Sequence, residues 1–317
     1  MTRRPPDRPA PDRRRRRALW SLGGLGAVAA GCGGGVAEVA GIGSGGTGQV
    51  AGTTFSAGPI SGFGSVIVNG VKFDDSAATV TDSLGRARRL GELGLGMVVE
   101  IDGDADPAAG TGTARSIRII PQLAGTVASV DAPAGRFVAL GVDVESDAST
   151  AWGTAEGIAA VRAGGPVQVW GFADPASGVL RASRVDARAD VDGLALLRGP
   201  ASGYDRARAR ISVGGHAVAL DAAGALPERI DDGTEVRVAG PAVPPGQTLR
   251  ATRIEVDAPE RPASVAEARL DGAIRRFESA SRFTVAGLRV DAAGATVSGG
   301  AAGSLRDGTR VRVIGPV

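Results

Sequence analysis

Three aspartates stand at alternate positions in the segment IDGDADPAAG, at Asp102, Asp104 and Asp106. Carboxylate oxygens at alternate positions, with glycine between them, are how calcium-binding loops present their ligands. The full loop pattern also needs a bidentate glutamate at a fixed distance further on, and none follows here. Asp-Gly-Asp is equally common in ordinary turns. The sequence therefore favours a turn without a metal, with a calcium site at these three residues as the alternative.

Few residues of this chain are of a type that could take part in catalysis. His216 is the only histidine, so any triad or dyad that needs an imidazole must use it. It follows the pair Gly214-Gly215, which predicts a solvated turn residue. The segment GIGSGG (41–46) matches a dinucleotide fingerprint, but no strand precedes it and no helix follows it. We therefore expect neither an enzyme nor a bound cofactor.

Aromatic side chains are the remaining candidates for ligand contact. Phe63, Tyr204 and Phe277 recur at one position of a sequence repeat, which favours a place in the core. A stacking surface needs exposed rings. Trp170 stands at a strand position whose counterparts in the other repeats are not aromatic. If any ring forms a ligand platform, we expect it to be Trp170.

The N-terminal segment has the pattern of an export signal. Residues 1–31 carry an arginine-rich start and an apolar stretch that is too short to span a bilayer, followed by the only cysteine, Cys32. The sequence AAGC resembles the lipobox of bacterial lipoproteins, in which the cysteine is lipidated and becomes the mature N-terminus. Arg16-Arg17 also resembles a twin-arginine signal, so Sec and Tat export both remain open.

The charge of the chain belongs mostly to this leader. The whole chain has 36 basic and 34 acidic side chains. Residues 1–31 contain eight arginines and two aspartates, so the remainder has 28 basic and 32 acidic groups, a net charge of −4. A nucleic-acid-binding domain is expected to carry a basic patch. This balance argues against a nucleic-acid partner.

A β-hairpin pattern occurs four times after the leader. Each copy is an alternating apolar run, a two-residue turn ending in glycine, and a second alternating run, which is typical of half-buried strands joined by a tight hairpin. The four copies are SVIVNGVKFD (65–74), RFVALGVDVE (136–145), RISVGGHAVA (210–219) and RFTVAGLRVD (282–291).

Each hairpin is followed by a segment of the form G-x-x-[VI]-x-[VI]-x-G. The four copies are Gly96–Gly103, Gly164–Gly171, Gly233–Gly240 and Gly308–Gly315. Three repeats continue into A-x-x-[IV], and the fourth reaches Val317 without it. Because exposed sheet edges invite pairing, we expect the fourth edge to be capped, either by residues 49–55 of this chain or by a strand of a partner. The alternative is that the last repeat frays or forms with fewer strands.

These repeats predict an all-β protein of four tandem small OB-like barrels, because closure hides the edges of so few strands. A four-bladed propeller is the alternative. Proline-containing linkers such as 257–268 favour separate barrels. The predicted segments are a signal peptide (1–31), a Gly-rich tether (32–57), and barrels at 58–121, 122–190, 196–258 and 268–317, the last without its final strand.

The runs GSGGTGQ (43–49), GPISGFGSVIVNGVKFD (58–74) and LGLGMVVEIDG (93–103) resemble a bacterial lipoprotein family catalogued as domain of unknown function fifty-six sixty-six. The resemblance implies tandem OB-like barrels behind a lipobox and a tether, and it implies no catalytic or binding residues. We therefore expect a non-enzymatic binding or spacer protein, anchored to the membrane of the bacterial envelope through a lipid on Cys32. Its partner would be an envelope protein or glycan. An envelope hydrolase without a recognisable motif, and an oligonucleotide or oligosaccharide binder, are the alternatives.

Overall fold

The computed structural model describes residues 37–40, 52–106, 108–187, 193–259 and 265–317, of which the first four are described as backbone only. Gly35–Val317 form one compact unit. The described residues form 26 strands and three short 3₁₀ turns. None of their helical segments is long and apolar enough to cross a membrane. The leader, Cys32 and the segment 41–46 lie outside the described residues.

Barrel 1 follows a short strand, β1 (Ala37–Ala40). Its strands are β2 (Gly52–Gly62), β3 (Val66–Val68), β4 (Val71–Asp74), β5 (Thr79–Asp82), β6 (Ala87–Arg88), β7 (Val98–Asp106) and β8 (Thr111–Ile119), with a 3₁₀ turn at Leu90–Glu92. Pairing runs β2-β3-β4-β8-β7 and back to β2, with β4 and β8 parallel. The ring is therefore a closed five-stranded barrel.

Barrels 2 and 3 repeat this ring. Barrel 2 contains β9 (Leu123–Asp131), β10 (Arg136–Ala139), β11 (Val142–Glu145), β12 (Ala151–Trp152), β13 (Pro166–Ala173) and β14 (Leu180–Asp186), with a 3₁₀ turn at Gly157–Ala160. Barrel 3 contains β15 (Leu194–Asp205), β16 (Arg210–Val213), β17 (His216–Ala219), β18 (Glu235–Pro241), β19 (Leu249–Arg250) and β20 (Arg253–Val256). Each of these barrels is closed by one strand, which we call the closing strand: β8 in barrel 1, β14 in barrel 2 and the pair β19–β20 in barrel 3. The closing strand runs antiparallel to the strand before it in the chain, which is β7, β13 and β18, respectively.

Barrel 4 is open. It contains β21 (Glu267–Ala273), β22 (Arg275–Ser279), β23 (Arg282–Val285), β24 (Leu288–Asp291), β25 (Thr296–Ser298) and β26 (Arg310–Pro316), with a 3₁₀ turn at Ala302–Ser304. Among the described residues β24 pairs only with β23. The prediction of an all-β fold made of OB-like barrels is confirmed, and the propeller alternative is wrong.

The hairpins form because their turns tolerate positive φ angles. Both turn residues have positive φ in all four copies, as two-residue hairpins of type I′ require. The φ angles are 53° and 78° at Asn69-Gly70, 50° and 83° at Leu140-Gly141, 57° and 88° at Gly214-Gly215, and 49° and 77° at Ala286-Gly287. The inward residues of the flanking strands alternate with outward ones, as in β4, where Val71 and Phe73 are buried and Lys72 and Asp74 are exposed. Sequence alternation thus fixes which face of each strand enters its barrel.

The barrels are packed against one another. The strands β2 and β21 pair in parallel, from Thr54 opposite Glu267 to Ala57 opposite Leu270, and join barrel 1 to barrel 4. β9 and β15 pair at Leu123 and Leu197 and join barrel 2 to barrel 3. The linkers therefore do not keep the barrels apart, because the first strands of adjacent barrels pair along their outer edges.

The edge of β26 is capped by a segment that the sequence analysis did not select. β1 pairs in parallel with β26, with Ala37 opposite Val311 and Ala40 opposite Ile314, and it also pairs with β25. Thr54 and Phe55, which belong to the segment 49–55 proposed as the cap, pair with β21 instead. Residues 49–51 lie outside the described residues. The capping element is thus β1.

Candidate functional site

A glycine marks the position where each closing strand passes its neighbour most closely. A Cβ atom added at Gly103, Gly171 or Gly240 would lie 2.2, 2.0 or 2.1 Å from a carbonyl oxygen of the closing strand. A side chain cannot fit at such distances, so the glycine is a requirement of closure. The last glycine of the repeated G-x₆-G segment is therefore explained by the closing strand.

Gly315 is the counterpart of these glycines in barrel 4. A Cβ added there meets no described atom within 4 Å. The described residues of β1 cover only part of the strand position, since they pair with β26 from Val311 to Ile314. β1 also runs in the opposite direction, because closing strands are antiparallel to the strand that β26 represents. None of the described residues occupies the half of the strand position beside Gly315.

An apolar groove lies at this empty position, between β24 and the end of β26. We call it the edge groove. Its cavity volume is ≈ 420 Å³, and its apolar lining includes Leu270, Leu288, Val290, Ala295 and Val313. Protein interiors rarely contain a void larger than a water molecule. The edge groove is therefore a place that a further chain segment would fill.

A polar feature lies where the barrels meet. Cross-strand pairs occupy one register position in each closed barrel: Glu100 opposite Arg118, Gln168 opposite Asp186, and Arg237 opposite Glu255. Glu100 Oε2 accepts hydrogen bonds from Arg118 Nε at 3.0 Å and Nη2 at 2.6 Å. Barrel 4 places Asp271 opposite Arg312 at the equivalent position. These outward positions form a buried charged layer between the barrels.

The four buried acids of the described residues are all paired with arginine. They are Asp82, with Arg86 and Arg88; Glu100, with Arg118; Asp257, with Arg198 and Arg237; and Asp271, with Arg310 and Arg312. Arg310 also lies 4.9 Å from the ring centroid of Phe172 in barrel 2, which is a cation–π distance. Arg275 Nη2 donates to the carbonyl oxygen of Ala173 at 2.7 Å. The ion pairs thus lie within single barrels, whereas Arg310 and Arg275 connect barrel 4 to barrel 2.

A small central cavity of ≈ 90 Å³ lies within this layer and is lined by residues of all four barrels, among them Ala57, Phe172, Glu235 and Asp271. Burial raises the pKa of Glu235, and the nearby Arg275 and Arg198 only partly oppose this. Burial also raises the pKa of Glu100 despite the adjacent Arg118. Both carboxyl groups therefore bind a proton more tightly in the folded protein than in the unfolded chain.

The three alternate aspartates do not form the turn that the calcium interpretation needs. Asp102 and Asp104 lie on β7, and Arg115 bridges them, with Nη2 3.0 Å from Asp102 Oδ1 and Nη1 2.6 Å from Asp104 Oδ2. The carboxylate of Asp106 instead accepts the backbone N–H of Ala108 at 3.0 Å. Among the described residues no cluster of three metal-ligating side chains occurs. Arg115 neutralises the two carboxylates that calcium would need, so the calcium alternative is not supported.

Trp170 is not an exposed platform. Its side chain is 1 % exposed and packs with the core of barrel 1, although its strand belongs to barrel 2. Phe63 is the reverse case, because the position expected in the core is 51 % exposed. Tyr204 and Phe277 pack at the margins of the cores, as expected. Sequence alternation identifies the two faces of a strand, but it does not tell which outward face a neighbouring barrel covers.

His216 is half-buried rather than a solvated turn residue. It begins β17, and a Cβ added at Gly141 of the barrel 2 hairpin would lie 3.2 Å from its Nδ1. Burial lowers the pKa of His216, opposed by Asp143. The imidazole therefore favours the neutral form and packs against the neighbouring barrel.

The comparisons with known proteins agree with this architecture. Barrels 1 and 2 match a family model. Its description is Domain of unknown function (DUF5666), and the matched residues are 56–118 and 124–186. No curated protein and no solved structure gives a significant match. Two of the four barrels are thus similar to this domain, whose function the family description leaves open.

Proposed function

We propose that this protein is a non-enzymatic binding or spacer protein, attached to a membrane of the bacterial cell envelope through a lipid on Cys32. The leader pattern of residues 1–31 and the lipobox-like AAGC support the attachment. The resemblance of the tether and the first repeat to lipoproteins with these domains supports the same location. The net charge of −4 after the leader argues against nucleic acid as the partner.

The pairing of the four most buried acids, to which the more exposed Glu235 does not belong, carries the non-enzymatic part of the proposal. Each of the four, including Glu100 and Asp271, contacts an arginine rather than a second acid or a histidine. A catalytic general base needs a carboxylate or imidazole poised to accept a proton from a substrate. In this protein the four buried acids instead join strands within one barrel. The result is a single body of four barrels suited to display a surface at a fixed geometry.

The attachment is tested by Cys32→Ala in a bacterial host that processes lipoproteins. We expect the wild-type protein to incorporate a labelled fatty acid and to fractionate with membranes. The variant should lose both properties and become soluble in the envelope fraction. A wild-type protein without label, or a variant that keeps the label, contradicts lipidation at Cys32.

The non-enzymatic part is tested with the purified protein on a panel of esterase, glycosidase and peptidase substrates. We expect rates equal to those of a buffer control. Turnover that co-purifies with the protein and is lost in Glu235→Gln would establish the hydrolase alternative, because Glu235 lines the central cavity with a raised pKa.

A further inference from the structure

We propose that barrel 4 captures an extended strand of another polypeptide, which fills the edge groove and completes the barrel. This inference rests on the proposed binding function and gives it a class of partner. The position is defined by its counterparts, since β8, β14 and β19–β20 occupy it in the other three barrels. Strand addition to an open edge is a known mode of peptide recognition.

Gly315 is the first observation that points to an occupant. Its three counterparts are glycines because a closing strand passes about 2 Å from where a Cβ would stand. The described part of barrel 4 gives no such reason, because no described atom lies within 4 Å of a Cβ placed at Gly315. A glycine here fits a strand that arrives from elsewhere.

The closing strands of the other barrels define the sequence pattern that the occupant needs. Barrels 2 and 3 use Leu-Arg-Ala, at residues 180–182 and 249–251, followed three residues later by Val185 or Ile254. The leucine, the alanine and the branched residue are all buried in their barrels. Leu180 and Leu249 lie opposite valines of β11 and β17, and the equivalent residue of β24 is Val290, which lines the edge groove. The occupant therefore carries the pattern Leu-x-Ala-x-x-[Ile/Val].

Charges in barrel 4 match the polar positions of such a strand. In barrel 2 the arginine after the leucine, Arg181, donates to Glu145 at 3.1 Å. Asp291 holds the place of Glu145 on β24. In barrel 3, Glu255 of the closing strand pairs with Arg237. Arg312 holds the place of Arg237, and its Nε is buried without a hydrogen-bond partner among the described residues.

β1 acts as an incomplete substitute that the occupant displaces. It covers Val311–Ile314 of β26 in the reverse direction and over only four residues. A strand antiparallel to β26 would pair along the same edge and extend past Gly315 to β24. The full occupant therefore competes with β1, and weakening β1 should favour capture.

The probe is the labelled peptide LRATRIEV, the sequence of residues 249–256, with the whole protein as its receptor. We expect saturable binding by fluorescence anisotropy. Gly315→Val places a side chain where the strand would pass, so affinity should fall by about tenfold or more, the ratio that one clash of about 1.4 kcal/mol produces. Its melting temperature should equal that of wild type, because nothing described lies within 4 Å.

Two further variants make the test independent of folding defects. Val39→Pro removes a ladder N–H from β1 and should tighten peptide binding severalfold. Asp291→Arg should weaken LRATRIEV and restore binding of the peptide in which the first arginine is replaced by glutamate. Strand capture is overturned if Gly315→Val binds the peptide as tightly as wild type does. It is also overturned if neither wild type nor Val39→Pro binds the peptide. Such an outcome leaves the result for Cys32→Ala untouched, so the two proposals fail separately.

Discussion

Replacing Gly240 with alanine should destabilise barrel 3 strongly, whereas the same change at Gly315 should not affect stability. The new Cβ of Gly240→Ala would stand 2.1 Å from the carbonyl oxygen of Arg250, more than an ångström inside ordinary contact. β18 and the closing strand must then separate, which endangers bonds such as that from Thr252 N–H to the carbonyl oxygen of Ala239, at 2.8 Å. Gly315→Ala meets no described atom within 4 Å and serves as the matched control.

The expected loss for Gly240→Ala combines two effects. Overpacking of a well-packed site costs about 1–3 kcal/mol. Two weakened backbone hydrogen bonds cost about 1 kcal/mol each. The total of about 3–5 kcal/mol lowers the melting temperature of a body of this size by roughly 5–8 °C, because its unfolding entropy is about 0.6 kcal/mol/K.

Urea and thermal unfolding followed by far-ultraviolet circular dichroism measure both variants. A Gly240→Ala protein as stable as wild type would refute the close approach of the closing strand. A Gly315→Ala protein that loses as much stability as Gly240→Ala would refute the open position in barrel 4.

Two further predictions concern the charged layer. Arg118→Met leaves Glu100 buried without this partner and should lower the free energy of unfolding in urea by about 3–5 kcal/mol. The double variant with Glu100→Leu should recover most of this loss. A double variant no more stable than the single one would contradict the pairing. The raised pKa of Glu235 means that the folded protein holds this proton more tightly than the unfolded chain, so its contribution to stability falls as pH rises through the raised pKa. Glu235→Gln should therefore be more stable than wild type at neutral pH and equal to it in acid, as thermal unfolding across pH 4–8 would show; a gain that persists in acid would contradict the assignment.

The hairpins and the barrel class could be predicted from the sequence because both are local. Alternation around Asn69-Gly70 and its three counterparts sets the strands and the turns, and a small set of strands avoids open edges by closing. The packing between barrels could not be predicted, because Glu100 and Arg118 lie at outward positions that look like ordinary solvent-facing residues. The prediction that Trp170 would be an exposed ligand platform is wrong for the same reason, since barrel 1 covers this outward position.

The edge groove was only half predictable. The recurrence of the strands predicts a closing-strand position in barrel 4, but the sequence AEVA of β1 lacks the longer alternating pattern that marks the other strands. Its pairing depends on the edge that β26 offers rather than on its own propensity. Gly315 was the usable signal, since a repeated glycine without a local reason indicates a missing neighbour.

Amide hydrogen exchange tests most directly whether barrel 4 holds an open strand position. The amide of Lys72 on β4 donates to the carbonyl oxygen of Gly110, at 2.9 Å, beside the closing strand. Arg289 holds the same place on β24, which among the described residues pairs only with β23. We expect the Lys72 amide to be protected and the Arg289 amide to exchange rapidly in the free protein, then to become protected when LRATRIEV binds. An Arg289 amide already as protected as that of Lys72, or one that the bound peptide leaves unprotected, would contradict the open position and its occupant.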